Sequence, residues 1–264
     1  MEDAIYIRHN FSPDEILKDL WQRRLIAVRY DDIPSTNPED YTKKAGKDAL
    51  RRMHRYREKG VMVGAVFRSV RPSEMLIGEI EPGTPIKIES YNGLYHHKTL
   101  QLINTRVVSY LDYPVLAAIQ PRQSAITGWP SARRWLAHIL GYKHLEPTVQ
   151  SLAPSQLEVL CQEYLRFRGK LTALLLPIGG SLIDVDILGI NKDGERVVAQ
   201  VTHSSNCKEV AKKLELLQAW SAPYRYFFGP KNCLRENIGA EYITIEDVFA
   251  RMRSAAFLEH MIAR

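Results

Sequence analysis

The sequence predicts an α+β first half built on a β-barrel-like set of short strands, followed by an α/β domain. Two observations carry this reading. Short β-rich stretches punctuated by Pro and Gly fill the chain up to the neighbourhood of Gly128, and from Ser155 onward the pattern becomes helix, strands, helix, strand. The expected division is 1–130, a connecting helix and linker over 131–150, and 151–264.

The elements follow in order from local pattern. Ser12–Arg24 reads as a helix and Leu25–Tyr30 as a strand. Lys43–Lys59 reads as an amphipathic helix, with Ala49, Leu50, Met53 and Tyr56 recurring every three or four residues. Strands are expected over Gly60–Val70, Met75–Ile80, Pro85–Ser90, Leu100–Leu111 and Pro114–Ile119, while His96-His97 reads as a turn-like pair without ligand spacing. Ser131–Leu140 is a short helix ending before Gly141, and Pro147 and Pro154 mark the linker. Ser155 then caps Gln156–Arg168, whose Leu157, Leu160, Cys161, Tyr164 and Leu165 form one face. Strands follow at Leu171–Pro177, Ile183–Ile190 and Arg196–Thr202, the last two joined by a turn at Asp193-Gly194. Asn206 caps a helix to Trp220, Tyr224–Phe228 reads as a buried strand, and a last helix follows Thr244.

Composition narrows the function classes. At 264 residues, with 45% hydrophobic and 25% charged residues and a mean hydropathy of −0.25, the chain fits two globular domains. No run approaches the roughly 20 apolar residues of a membrane span, and MEDAIYIRHN lacks a signal pattern, so a cytoplasmic protein without membrane contact is expected. Cys161, Cys207 and Cys233 are odd in number and far apart, which argues against a disulfide framework or a CxxC zinc site; burial is their expected role. Gly-rich phosphate loops, GxSxG elbows and HExxH motifs are absent from the sequence, which gives no support to NTP hydrolysis, esterase or zinc-peptidase chemistry.

The formal charge is +6, and its placement says more than its size. Eight cations between Lys43 and Lys59 face only Asp48 and Glu58, a surplus equal to the net charge of the whole chain. A row of exposed cations attracts phosphates by counterion release, so Lys43, Lys44, Lys47, Arg51, Arg52 and Arg55 are candidate nucleic-acid contacts. A solvated charged face is the plainer alternative.

The segment Ile183-Asp184-Val185-Asp186-Ile187, followed after the hairpin by Val197-Val198-Ala199-Gln200-Val201-Thr202-His203, carries the chemistry. Strand alternation places Asp184 and Asp186 on one face, Gln200 and Thr202 together, and His203 opposite Thr202. A polar Gln200 interrupts an otherwise apolar strand, and a buried amide needs partners.

These residues resemble the Mrr-like branch of the PD-(D/E)xK restriction-endonuclease-like superfamily. Asp186 matches its metal-binding aspartate, Gln200 the first position of Gln-x-Lys, and Glu158, in Pro154-Ser155-Gln156-Leu157-Glu158, the acid of its opening helix. The resemblance implies a restriction-endonuclease-like α/β domain, Mg²⁺ or Mn²⁺ held by Glu158 and Asp186, and hydrolysis of phosphodiester bonds. It further implies a DNA endonuclease of restriction or defence, with double-stranded DNA as partner and a homodimer where both strands are cut. The departure is Thr202 at the lysine position; Lys208 or Lys212 on the following helix are candidates to replace that charge. A nuclease fold that binds without cutting is the alternative.

The first half resembles PUA-like, EVE-type modified-base readers in the order Trp21, Ala27-Val28-Arg29-Tyr30, Gly60-Val61-Met62-Val63, Ile77-Gly78-Glu79-Ile80 and Arg106-Val107-Val108. Tyr30 stands where that family has Trp, and its Gly-Asp pair is missing. The resemblance implies base stacking by Tyr30, Tyr91, Tyr95 and Trp129; packing of a small β core is the alternative for each.

Overall fold

Near-continuous apolar runs form strands buried on both faces, and two such runs, β1 (Ala4–Arg8) and β3 (Val61–Val66), build the centre of the first sheet. The computed structural model describes residues 3–9, 12–121, 125–146, 148–176, 185–234, 239–255 and 257–262, and the chain divides into the units Met1–Glu146 and Pro147–Arg264. After β1 come α1 (Asp14–Gln22), β2 (Leu25–Val28), α2 (Lys44–Lys59), β3 (Val61–Val66), β4 (Glu74–Ile80), β5 (Lys87–Tyr91), β6 (Tyr95–Gln101), β7 (Ile103–Ser109), α3 (Pro114–Ala118), β8 (Ile126–Gly128) and α4 (Arg133–Ile139).

The strands form a mixed five-stranded sheet in the order β7-β4-β3-β1-β8 and a three-stranded antiparallel sheet in the order β2-β6-β5. Among the described residues there is no closed barrel, which corrects the barrel-like expectation. Closure would need β2, β6 and β5 to join the larger sheet; they pair only among themselves. Ile16, Leu17, Leu20 and Trp21 of α1 and Leu50 and Met53 of α2 bury against strand residues of both sheets, so helices cover faces that a barrel would have turned inward.

Three local expectations change. β1 was hidden in a five-residue run with no flanking turn; it is held by pairing parallel to β3 and antiparallel to β8. Pro114–Ile119 is helical rather than extended over Pro114–Ala118, because Pro114 at the first turn has no N–H to satisfy and Val115 and Leu116 bury. His96 and His97 lie inside β6, and the turn falls at Asn92-Gly93, both with positive φ (53° and 66°).

The second unit contains α5 (Pro154–Phe167), β9 (Ala173–Leu174), β10 (Ile187–Ile190), β11 (Arg196–Val201), α6 (Cys207–Gln218), β12 (Tyr224–Gly229), β13 (Glu241–Thr244), α7 (Ile245–Ser254) and α8 (Phe257–Ile262). Its sheet runs β13-β12-β11-β10-β9, with β11, β12 and β13 parallel and β9, β10 and β11 antiparallel. α6 crosses between the parallel β11 and β12, packing Val210, Leu214 and Leu217 with Val198 and Phe227. β9 can approach β10 closely because position 189 is glycine; a Cβ there would run into the Ala173 carbonyl and the Leu171 side chain.

The same crossover overturns the expectation of unpaired cysteines. It returns the start of α6 to the turn that follows β12, and Cys207 and Cys233, 26 residues apart, form a disulfide there. Sequence distance is a poor guide wherever a helix carries the chain back on itself. Cys161 is buried and reduced, as expected.

Candidate functional site

The candidate site is built where α5, β10, β11 and α6 meet in the second unit. α5 starts at Pro154, and Gln156 fixes this end: its Oε1 accepts from the Ala153 N–H (3.0 Å) and its Nε2 donates to the Met261 carbonyl of α8 (2.7 Å). Glu158, one turn into the helix, faces a cavity of 580 Å³ shared with Asp186, Gln200, Thr202, Lys212 and Lys213. Residues 177–184 fall outside the described residues, so the expected sharing of a face by Asp184 and Asp186 concerns a residue not described.

Asp186 lies one residue before β10, where its N–H still donates to Ala199 across the sheet (3.0 Å). Its carboxylate Oδ2 accepts from the Gln200 amide (2.6 Å) and from the Val201 N–H (2.7 Å). This answers the question raised by a polar residue in an apolar strand: Gln200, 5% exposed, is the clamp that orients Asp186. Among the described residues no hydrogen bond falls on Oδ1, and Asp186 lines the cavity.

Charge makes the arrangement costly. Burial pushes the Asp186 carboxyl up, opposed by the Val201 N–H, Lys213 and Gln200. Burial, and then the nearby Asp186 charge, push Glu158 up to about 7. Two carboxyls that resist ionising together are relieved by a shared proton or by a cation between them. Among the described residues no group of three His, Cys, Asp or Glu side chains forms a metal cage. Two carboxylates completed by water suit Mg²⁺, which keeps several waters and is bound through one or two carboxylates.

The positive charge comes from a residue that sequence reasoning passed over. Lys208 is exposed and does not line the cavity; Lys212 lines it but is exposed. Lys213 Nζ donates to Thr202 Oγ1 (3.3 Å), pairs with Glu209 (3.8 Å), and acts on the Asp186 charge. β11 ends at Val201, and Thr202, buried, and His203, exposed, both line the cavity. The bend after Val201 is held by Thr202 Oγ1, which accepts from the Ser204 N–H (3.2 Å), and by Ser204 Oγ donating to Glu209 (2.7 Å). The signal for Lys213 was available in its helical spacing from Glu209 and Val210, but which face α6 presents depends on packing.

In the first unit the base-stacking candidates have other partners. Trp129 is 1% exposed, donates to the Ile119 carbonyl (2.8 Å) and stacks edge-on to Tyr6; it is core, not a platform for a base. Tyr91 donates to Asp19 (2.5 Å), Tyr95 lies under Arg29 at 4.6 Å, and Tyr30, Tyr91 and Tyr95 are half-buried against the core. The basic helix is also partly self-satisfied. Lys43 pairs with Asp31 (2.6 Å), and Lys47 and Arg51 both pair with Glu39 (3.2 and 2.6 Å); Arg52 donates to the Ile126 carbonyl. Lys44 and Arg55 are exposed.

No protein-family model and no curated protein matches the chain. Among solved structures, a repair endonuclease from Pyrococcus abyssi is similar at 13% identity over 84% of this chain and 99% of that one, with a TM-score of 0.23. A superposition that loose carries no argument, and function has to be read from the residues. No helix among the described residues is long and apolar enough to cross a membrane.

Proposed function

We propose that the chain is a metal-dependent nuclease that hydrolyses phosphodiester bonds, with DNA as its substrate and the second unit as its catalytic part. The observation that carries this is the convergence of Glu158, Asp186, Gln200, Thr202 and Lys213 on one cavity. These residues come from four elements separated in sequence, and the two acids line one cavity where burial and the Asp186 charge disfavour ionisation of Glu158. That setting suits a bound cation.

Glu158 and Asp186 would hold Mg²⁺ or Mn²⁺, with Gln200 and the Val201 N–H fixing the Asp186 carboxylate through Oδ2. When bound, the ion acidifies a water and offsets charge on the phosphate. Lys213, seated on Thr202, supplies the cation that the usual strand position lacks and stabilises negative charge building on the phosphate oxygens. Use in restriction or defence, as the sequence resemblance implies, extends the same proposal.

The test is nicking of supercoiled and linear DNA with Mg²⁺, Mn²⁺ or chelator. Cleavage that needs the metal and disappears in Asp186→Ala, while DNA binding persists, supports the proposal. Binding without cleavage across metals and across modified and unmodified DNA rejects it in favour of a non-cutting nuclease fold.

A further inference from the structure

A second cavity lies wholly in the first unit, between the end of α2 and the strand pair β1 and β8. Its volume is 370 Å³, and its lining includes Arg55, Tyr56 and Lys59 of α2, Gly128 of β8 and Arg133 of α4. Arg55 and Lys59 stand one helical turn apart, about 6 Å along the axis. Arg133 enters from a different part of the chain, so no run of basic residues in sequence marks this cluster.

The three cations differ from their neighbours on α2. Lys43, Lys47 and Arg51 spend their charge on Asp31 and Glu39, whereas Arg55, Lys59 and Arg133 have no ion pair among the described residues. All three are exposed. Arg55 is oriented by its own neighbour: its guanidinium lies 5.1 Å over the Tyr56 ring and donates to the Tyr56 hydroxyl at 3.3 Å. Asp3 is the one acid in the lining, leaving three cations against one carboxylate. The side open to a ligand includes Gly128, where an added Cβ would meet nothing within 4 Å.

We propose that this cleft binds the phosphate backbone of a nucleic acid, with Arg55, Lys59 and Arg133 each neutralising a phosphate. A surplus of unpaired cations around a concave surface favours a polyanion over a neutral or cationic partner. The proposal shares with the nuclease reading only the assumption that the partner is a nucleic acid.

The test measures binding of a labelled duplex, and of the same sequence single-stranded, by fluorescence anisotropy in chelator. Cleavage plays no part in that readout, so failure here and failure of the nuclease reading are separable. Three phosphate contacts contribute about 2.7 to the slope of log affinity against log salt on a duplex, so wild type should lose about 40-fold more affinity than the variant between 50 and 200 mM salt. The variant is Arg55→Gln/Lys59→Gln/Arg133→Gln, with folding checked by circular dichroism. Gly128→Glu, which adds a charge in open space, should weaken binding in the same direction. Lys47→Gln/Arg51→Gln, on the same helix, should leave the slope within about 0.5 of wild type. A wild-type slope in the triple variant, a loss concentrated in Lys47→Gln/Arg51→Gln, or no salt-dependent binding to either strand form overturns the proposal.

Discussion

Replacing Glu158 by Gln should stabilise the protein at pH 8 in chelator and leave it nearly unchanged at pH 5. The carboxyl is raised from 4.5 to about 7, by burial first and by Asp186 second. Because the folded value lies above the unfolded one, the folded state holds the proton more tightly. Below about 4.5 both states are protonated and there is no penalty. Through 4.5 to 7 the penalty grows, and above 7 the folded state carries all of it. Fully felt, such a shift is roughly 3 kcal/mol. Glu158 is half-exposed, and solvent screening reduces the figure to about 1 kcal/mol. In a unit the size of Pro147–Arg264 that is a rise in Tm of about 4 °C. The assay is a thermal melt of wild type and Glu158→Gln at both pH values in chelator, repeated with Mg²⁺. The ion should raise the Tm of wild type at pH 8 and have no effect on the variant, since it binds the folded carboxylate pair. A variant that melts lower than wild type by the same margin at pH 5 and pH 8 would refute the reasoning: it would mean that Glu158 is a structural hydrogen-bonding group and that no carboxylate repulsion is stored at the site.

Three further outcomes follow from the same geometry. Lys213→Met should slow metal-dependent nicking by about 100-fold, while Lys208→Met, exposed and off the cavity, leaves the rate within about twofold; equal effects would remove Lys213 from the mechanism. Denatured, unreduced protein should label one thiol of three, and Cys207→Ser/Cys233→Ser should lower Tm by about 10 °C, from about 3 kcal/mol of loop closure over 26 residues; three reactive thiols would contradict the pairing. Gly189→Ala should cost about 1–3 kcal/mol by forcing β9 away from β10, and an unchanged melt would show that this edge of the sheet adapts freely.

Helices were legible in the sequence because their signals are local. The Leu50–Met53 stripe of α2 and the Asn206 cap of α6 need no knowledge of the rest of the chain, and both are found as read, Asn206 accepting from the Lys208 N–H at 3.1 Å. Strand runs were also visible, but their pairing was not. Ala4–Arg8 is a strand because Val61–Val66 and Ile126–Gly128 flank it, and β2, β6 and β5 separate from the larger sheet through register that no single stretch encodes. The disulfide failed for the same reason: parallel β11 and β12 must exist before Cys207 and Cys233 are neighbours.

The site shows where pattern ends and packing begins. Asp186 and Gln200 were readable as a pair because a hairpin sets their distance, and the residue that seemed out of place in the apolar strand is the one that holds the aspartate. The lysine was sought on the right helix, at Lys208 or Lys212; Lys212 lines the cavity, and its neighbour Lys213 is the one that bonds Thr202. Val210, Leu214 and Leu217 fix the buried face of α6, and once that face is set Lys213 is carried toward Thr202 while Lys208 is carried away. A threonine at the lysine position therefore has a positive use. Its short hydroxyl, 3% exposed, accepts from Lys213 and from the Ser204 N–H at once, so it both anchors the incoming ammonium and holds the bend that opens the cavity. If that is the role of Thr202, then Thr202→Ser should keep nicking near wild type and Thr202→Val, equal in size but without the acceptor, should lower it about as far as loss of Lys213 does. A Thr202→Val enzyme that cuts at the wild-type rate would remove the threonine from the mechanism, and the charge on the phosphate would need another source of compensation.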